Sequence, residues 1–194
     1  MNTRTKNKPS QEQIDAIIKK YSEKEKVLDL LYTGPSNTPM RLQCCLERGV
    51  TLNSLAYGIN DYIFLPEYKN GNLPSNTLIA WKNQMNIVKI IFQNFINSNP
   101  NYFRKVSVTK YAVSDEFILD VLLHNKNKGF DATDIQSIFP YIVNFDIFKQ
   151  IVETFYLPYN KKNDTFDTVK RNFGKCKPYK YKKQVGNKKC LKSR

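Results

Sequence analysis

The chain has 194 residues, 41% of them hydrophobic, with 12 Phe, 12 Tyr and a formal charge of +14. That is enough apolar material for one self-sufficient core and too much for a fully disordered chain: a body of about 150 residues buries roughly 68–70% of its unfolded surface. No apolar run approaches the ~20 residues of a membrane-spanning helix, and no apolar stretch follows the basic start, so neither a span nor a signal peptide is expected.

The charge is unevenly placed. Residues 168–194 hold eleven Lys and Arg and no Asp or Glu, whereas 1–167 hold 20 bases against 17 acids. A nearly neutral body carrying a cationic arm is the expectation. Lys outnumbers Arg 25 to 6, and Asn, Ile, Tyr and Phe are also favoured, as in an A/T-rich genome such as that of a small virus. That bias raises Lys everywhere, but it does not remove the acids after Asp167.

In chain order, 1–9 is a polar, flexible start. Ser10 and Gln13 have the spacing of a capping box, and Ile14, Ile17, Ile18, Tyr21, Val27, Leu28 and Leu31 predict one amphipathic helix over 10–32. The segment "TGPSNTP" ends it. A short helix follows from Pro39 towards Gly49, and Thr51 caps another through Tyr57. "DYIFLPEY" alternates weakly and reads as a brief strand or packing strap. The central helix is predicted over 76–97, where Ile79, Met85, Val88, Ile91, Phe92, Phe95 and Ile96 share a face. "YFRKVSVTKY" is the best strand candidate. Ser114, Asp131 and either Asn144 or Asp146 then cap three helices, and Pro158 with "NKKND" marks the domain edge. The fold class expected is mostly α: a compact helical domain over 10–159, about six helices and at most two short strands, with a disordered basic tail over 160–194.

Few motifs carry chemistry. There is no P-loop, GxGxxG, HExxH or GxSxG, so no cofactor is expected. His124 is the only histidine, and the four cysteines lack the paired spacing of a zinc site. Cys44 and Cys45 read as apolar residues on a short helix, and the cysteines as reduced thiols of cytoplasm or nucleus, not of a secreted chain. The helices over 114–156 could form a helix-turn-helix, but the face to be read, Lys149, Gln150 and Glu153, suits that task poorly. No enzymatic role is expected.

The tail is the candidate site. Lys175, Lys177, Lys180, Lys182, Lys183, Lys188, Lys189, Lys192 and Arg194 are interleaved with Phe173, Tyr179 and Tyr181. Lysines neutralise phosphates and release counterions, and aromatic rings stack on unpaired bases. About six contacts to a single strand give a slope of roughly −4 in log K against log salt. Lys lacks the bidentate fork of Arg, so binding tolerates sequence. The expected partner is RNA, ahead of DNA, with self-association of the body. The competing reading is a regulatory factor whose body binds a host or other protein and whose tail is only a nuclear or nucleolar localisation signal. A membrane partner is not favoured.

Overall fold

A computed structural model describes residues 8–31, 42–74, 77, 79–160 and 162–176. Local hydrogen bonds set most helix starts. Ser10 Oγ accepts from the Gln13 N–H at 3.2 Å while Gln13 Oε1 accepts from the Ser10 N–H at 3.0 Å, and this reciprocal pair opens α1, Gln11–Tyr21. The predicted single helix then breaks. The Ser22 N–H makes the closing ladder bond of α1, to the Ile18 carbonyl at 3.0 Å, and the Ser22 hydroxyl donates to the same carbonyl at 2.6 Å, a local side-chain bond of the kind that bends helices. A separate α2, Lys24–Leu31, follows. Helix α3, Leu42–Arg48, ends at Gly49, whose φ of 69° closes the last turn.

After β1, Val50–Thr51, Thr51 and Ser54 form another reciprocal cap, and α4 runs over Leu52–Lys69 without interruption. The strand or strap expected of "DYIFLPEY" is therefore helix. Leu55, Ile59 and Ile63 lie one turn apart, beside Ala56 and Phe64, and all five are buried; that period overrides the weak alternation. Pro66 sits in the last turns. Helix α5, Trp81–Ser98, starts later than predicted, although Ile79 is buried just ahead of it. Ile87, Val88, Ile91, Phe92, Phe95 and Ile96 form its buried face, and α4 lies against it.

The predicted strand over 102–111 is a hairpin of two strands, β2 Phe103–Lys105 and β3 Lys110–Val113. The N–H groups of Val106 and Ser107 both donate to the Lys110 carbonyl across the turn. Strand β1 pairs with the other edge of β3, giving an antiparallel sheet in the order β1-β3-β2. The expectation of at most two strands thus becomes three. The expected six helices become nine α-helical segments among the described residues.

Ser114, Asp131 and Asn144 each accept from backbone N–H groups and open α6 Asp115–His124, α7 Ala132–Ile138 and α8 Phe145–Ile151. Asp115, 2% exposed, does more than begin a helix. Its Oδ2 accepts from the N–H groups of Val143 and Asn144 at 2.8 and 2.7 Å and ties the start of α6 to that of α8. Helix α8 continues into a π-helical turn, Val152–Tyr156, which places Phe155 and Tyr156 in the core. One hydrophobic core spans the body from Ile17 to Val169.

Glu67 shows how one buried acid is accommodated. It is 2% exposed. Lys20 and Tyr21 donate to its Oε1 at 2.5 and 2.8 Å, and Asn72 donates to Oε2 at 2.9 Å. Burial opposes its ionisation, but these three donors outweigh burial and hold its pKa below the ordinary value. The Tyr21 hydroxyl moves far upward, through burial and then the Glu67 carboxylate.

Candidate nucleic-acid interface

The expected tail begins at 160, yet residues 162–176 lie against the body. Thr165 and Thr168 form a reciprocal cap that opens α9, Phe166–Val169. Val169 is 2% exposed. Phe166 meets Phe145 and Phe148 at 6.0 and 5.9 Å between ring centres, and Phe173 meets the same two rings at 5.3 and 5.0 Å. Gly174 turns the chain with φ 62°, and the Cys176 N–H donates to the Pro140 carbonyl at 2.6 Å.

Asp164 fastens the entry to this segment. Its Oδ2 accepts from the Tyr156 hydroxyl and from Asn160, each at 2.8 Å. Burial, and then the Asp164 carboxylate, push the Tyr156 hydroxyl up to about 12. The Tyr156 and Asn160 donors hold Asp164 below its ordinary value.

Three cations cluster where the described chain ends. Lys170, Arg171 and Lys175 are exposed. Lys170 pairs with Asp167 at 2.8 Å, and Lys175 donates to Asn172 Oδ1 at 3.0 Å. Of the predicted site residues, Lys175 alone lies among the described residues. Lys177, Tyr179, Lys180, Tyr181, Lys182, Lys183, Lys188, Lys189, Lys192 and Arg194 lie outside them. Phe173, read from sequence as a stacking ring of the tail, is a packing residue instead. The spacing of Phe166, Val169 and Phe173 at three and seven residues carried that signal, but the lysines around it masked it.

The remaining candidates are structural in their contacts. His124 Nε2 lies 3.2 Å from Asp29 Oδ1, which Lys128 also reaches at 2.8 Å. Lys149 and Gln150 on α8 and Glu153 in the π-helical turn after it point outward as expected, with Lys149 3.9 Å from Glu153. Cys45 is buried and Cys44 half-buried on α3, and burial followed by the Cys44 neighbour drives the Cys45 thiol well above its usual range. Cys176 is in a disulfide, which corrects the expectation of reduced cysteines throughout. Among the described residues no group of three His, Cys, Asp or Glu side chains is arranged to hold a metal ion. No helix among them is long and apolar enough to cross a membrane.

No protein-family model matches the chain, and comparisons with curated proteins and with solved structures find no match.

Proposed function

We propose that this is a non-enzymatic, sequence-tolerant nucleic-acid-binding protein, RNA preferred to DNA, whose basic C-terminal stretch supplies most of the affinity. The observation that carries the reading is the segregation of charge: eleven bases and no acid over 168–194. The fold supports it in one respect. Phe166, Val169 and Phe173 fix the start of that stretch on the body, so Lys170, Arg171 and Lys175 leave from a defined surface. Lysines then neutralise phosphates, and Tyr179 and Tyr181 stack on bases.

The test is a salt-titrated binding curve on labelled single- and double-stranded RNA and DNA. Full-length protein is compared with a full-length variant carrying Lys→Gln at 177, 180, 182, 183, 188 and 189. A truncation after 167 is unsuitable, because it removes the buried Val169. On a single strand, removal of six contacts reduces the salt slope by roughly 4. If the variant binds as well as the parent, the tail is not the anchor. If neither binds at about 100 mM salt, where the Debye length is roughly 10 Å, capture of a protein partner by the body becomes the leading reading, with the tail as its localisation signal.

A further inference from the structure

The body contains a second acid-free stretch. From Tyr68 to Ser114 there are six Lys and Arg and no Asp or Glu, while the flanking parts of 1–167 together carry −3. At the chain's overall acid frequency, about four acids belong in those 47 residues. A/T-rich coding accounts for the lysines but not for this gap, which covers all of α5 and the β2–β3 hairpin.

The structure gives the stretch a shape. Trp81, Met85, Lys89, Gln93 and Asn97 recur every four residues and form one ridge along α5, about 24 Å from end to end at 1.5 Å per residue. Every member is exposed or half-exposed. An aromatic pair stands at the N-terminal end: Trp81 is 50% exposed and Tyr57 of α4 is 73% exposed. Their rings meet edge to face at 5.9 Å and 87°, so each braces the other while both remain open to solvent. Lys82 follows directly.

At the far end Gln93 donates to Asn97 at 2.9 Å and receives the Tyr111 hydroxyl at 3.5 Å. Lys105, exposed on β2, is the strand partner of Tyr111. Lys82, Lys89 and Lys105 take part in none of the ion pairs of the described chain. The acids on the helices that pack against α5 are Asp61, one turn from Tyr57, and the buried, Lys20-paired Glu67 on α4, Glu12 and Asp15 on the exposed side of α1, and Glu25 and the Lys128-paired Asp29 on α2.

We propose that this ridge is a second contact for single-stranded nucleic acid, with Trp81 and Tyr57 stacking on bases and Lys82, Lys89 and Lys105 holding phosphates. Charge complementarity fixes the class of occupant. A row of ammonium groups and carboxamides without a carboxylate suits a polyanion. A second copy of the same face would set lysines against lysines. Exposed rings beside cations are the usual combination at single-strand sites, because every base offers a face to stack on. The proposal rests on the nucleic-acid reading above and assigns the body a part in it. The strand then runs from the aromatic pair towards the hairpin, and the C-terminal stretch adds affinity.

The test uses the full chain and a 20-nucleotide single-stranded RNA containing 4-thiouridine, photocrosslinked and mapped by mass spectrometry of peptides. Crosslinks are expected in the peptides holding Tyr57 and Trp81. In binding titrations, K82Q/K89Q/K105Q lowers the salt slope by about 2. W81A weakens binding about tenfold, as loss of one stacked base does, and W81F restores most of it. Unchanged melting temperatures show that the variants fold. Crosslinks confined to 177–194, with an unchanged slope in the triple variant, overturn this inference and leave the tail-anchored function standing. A triple variant that alters sedimentation but not RNA binding overturns it in favour of a protein contact. Failure of the parent chain to bind any nucleic acid removes both readings.

Discussion

Along the edge where α2 meets α6, cations stand beside carboxylates. Lys24 lies 3.2 Å from Asp120, Lys128 2.8 Å from Asp29, and His124 3.2 Å from that same Asp29. Tyr102 also donates to Asp120. Nearby, Lys20 reaches the buried Glu67. Along the ridge side of α5 and on the adjoining β2, Lys82, Lys89 and Lys105 enter no ion pair of the described residues. The residue types are the same, but their electrostatic settings differ. A paired lysine has its field largely cancelled at short range and holds two elements together. One without a carboxylate keeps its field and projects it into solvent, where a polyanion can use it.

Four outcomes would sharpen or break this comparison. The largest is expected at Glu67. Glu67→Ala removes three hydrogen bonds from a buried site and leaves the Tyr21 hydroxyl only the Ile63 carbonyl at 3.5 Å, so it costs about 3 kcal/mol of stability in denaturant unfolding. A cost near zero would mean that the paired side does no structural work.

Acid should act next, and on the same side. Glu67 and Asp29 are both held below their ordinary values. For Glu67, burial is overcome by the Lys20, Tyr21 and Asn72 donors; for Asp29, burial is overcome by Lys128 and then His124. A carboxylate with a depressed folded pKa contributes stability that is complete above its unfolded value. For Glu67 that value is near 4.5. The contribution is lost as pH falls through the lower folded value. Melting temperature should therefore drop as pH is lowered below about 4.5, and Glu67→Gln should flatten that dependence. An equal dependence in parent and variant would remove Glu67 from the account.

A smaller effect is expected at the exposed pairs. Asp29→Ala breaks the contacts of Lys128 and His124, but Asp29 is 44% exposed, so the cost is at most about 1 kcal/mol and falls with added salt. The smallest is the ridge itself. K82Q/K89Q/K105Q should leave unfolding free energy within about 0.5 kcal/mol of the parent, because no ion pair is lost. A clear destabilisation there would show that those lysines serve the fold.

Chain order alone made parts of this molecule legible. Ser10, Thr51, Ser114 and Asp131 were each readable as caps because the bonds they make span two or three residues, whereas sequence left the cap of α8 open between Asn144 and Asp146 and the structure places it at Asn144. The buried face of α5 was readable from its period, and the mostly helical class followed. In the candidate site, the excess of positive charge was plain, but its lower boundary was not. Phe166, Val169 and Phe173 looked like part of the tail because their partners, Phe145 and Phe148, lie some twenty residues away.

What the sequence by itself determined is therefore what short-range hydrogen bonds and composition control: helix starts, the helical class and the uneven placement of charge. Tertiary structure decided the rest. It set the burial of α4 against α5, the docking of 162–176, and the difference between a paired lysine and one on the ridge. Each of these depends on a contact partner distant in sequence, as with Lys20 and Glu67, 47 residues apart. Burial and charge pairing are properties of the folded arrangement, because only folding brings such groups within a few ångströms.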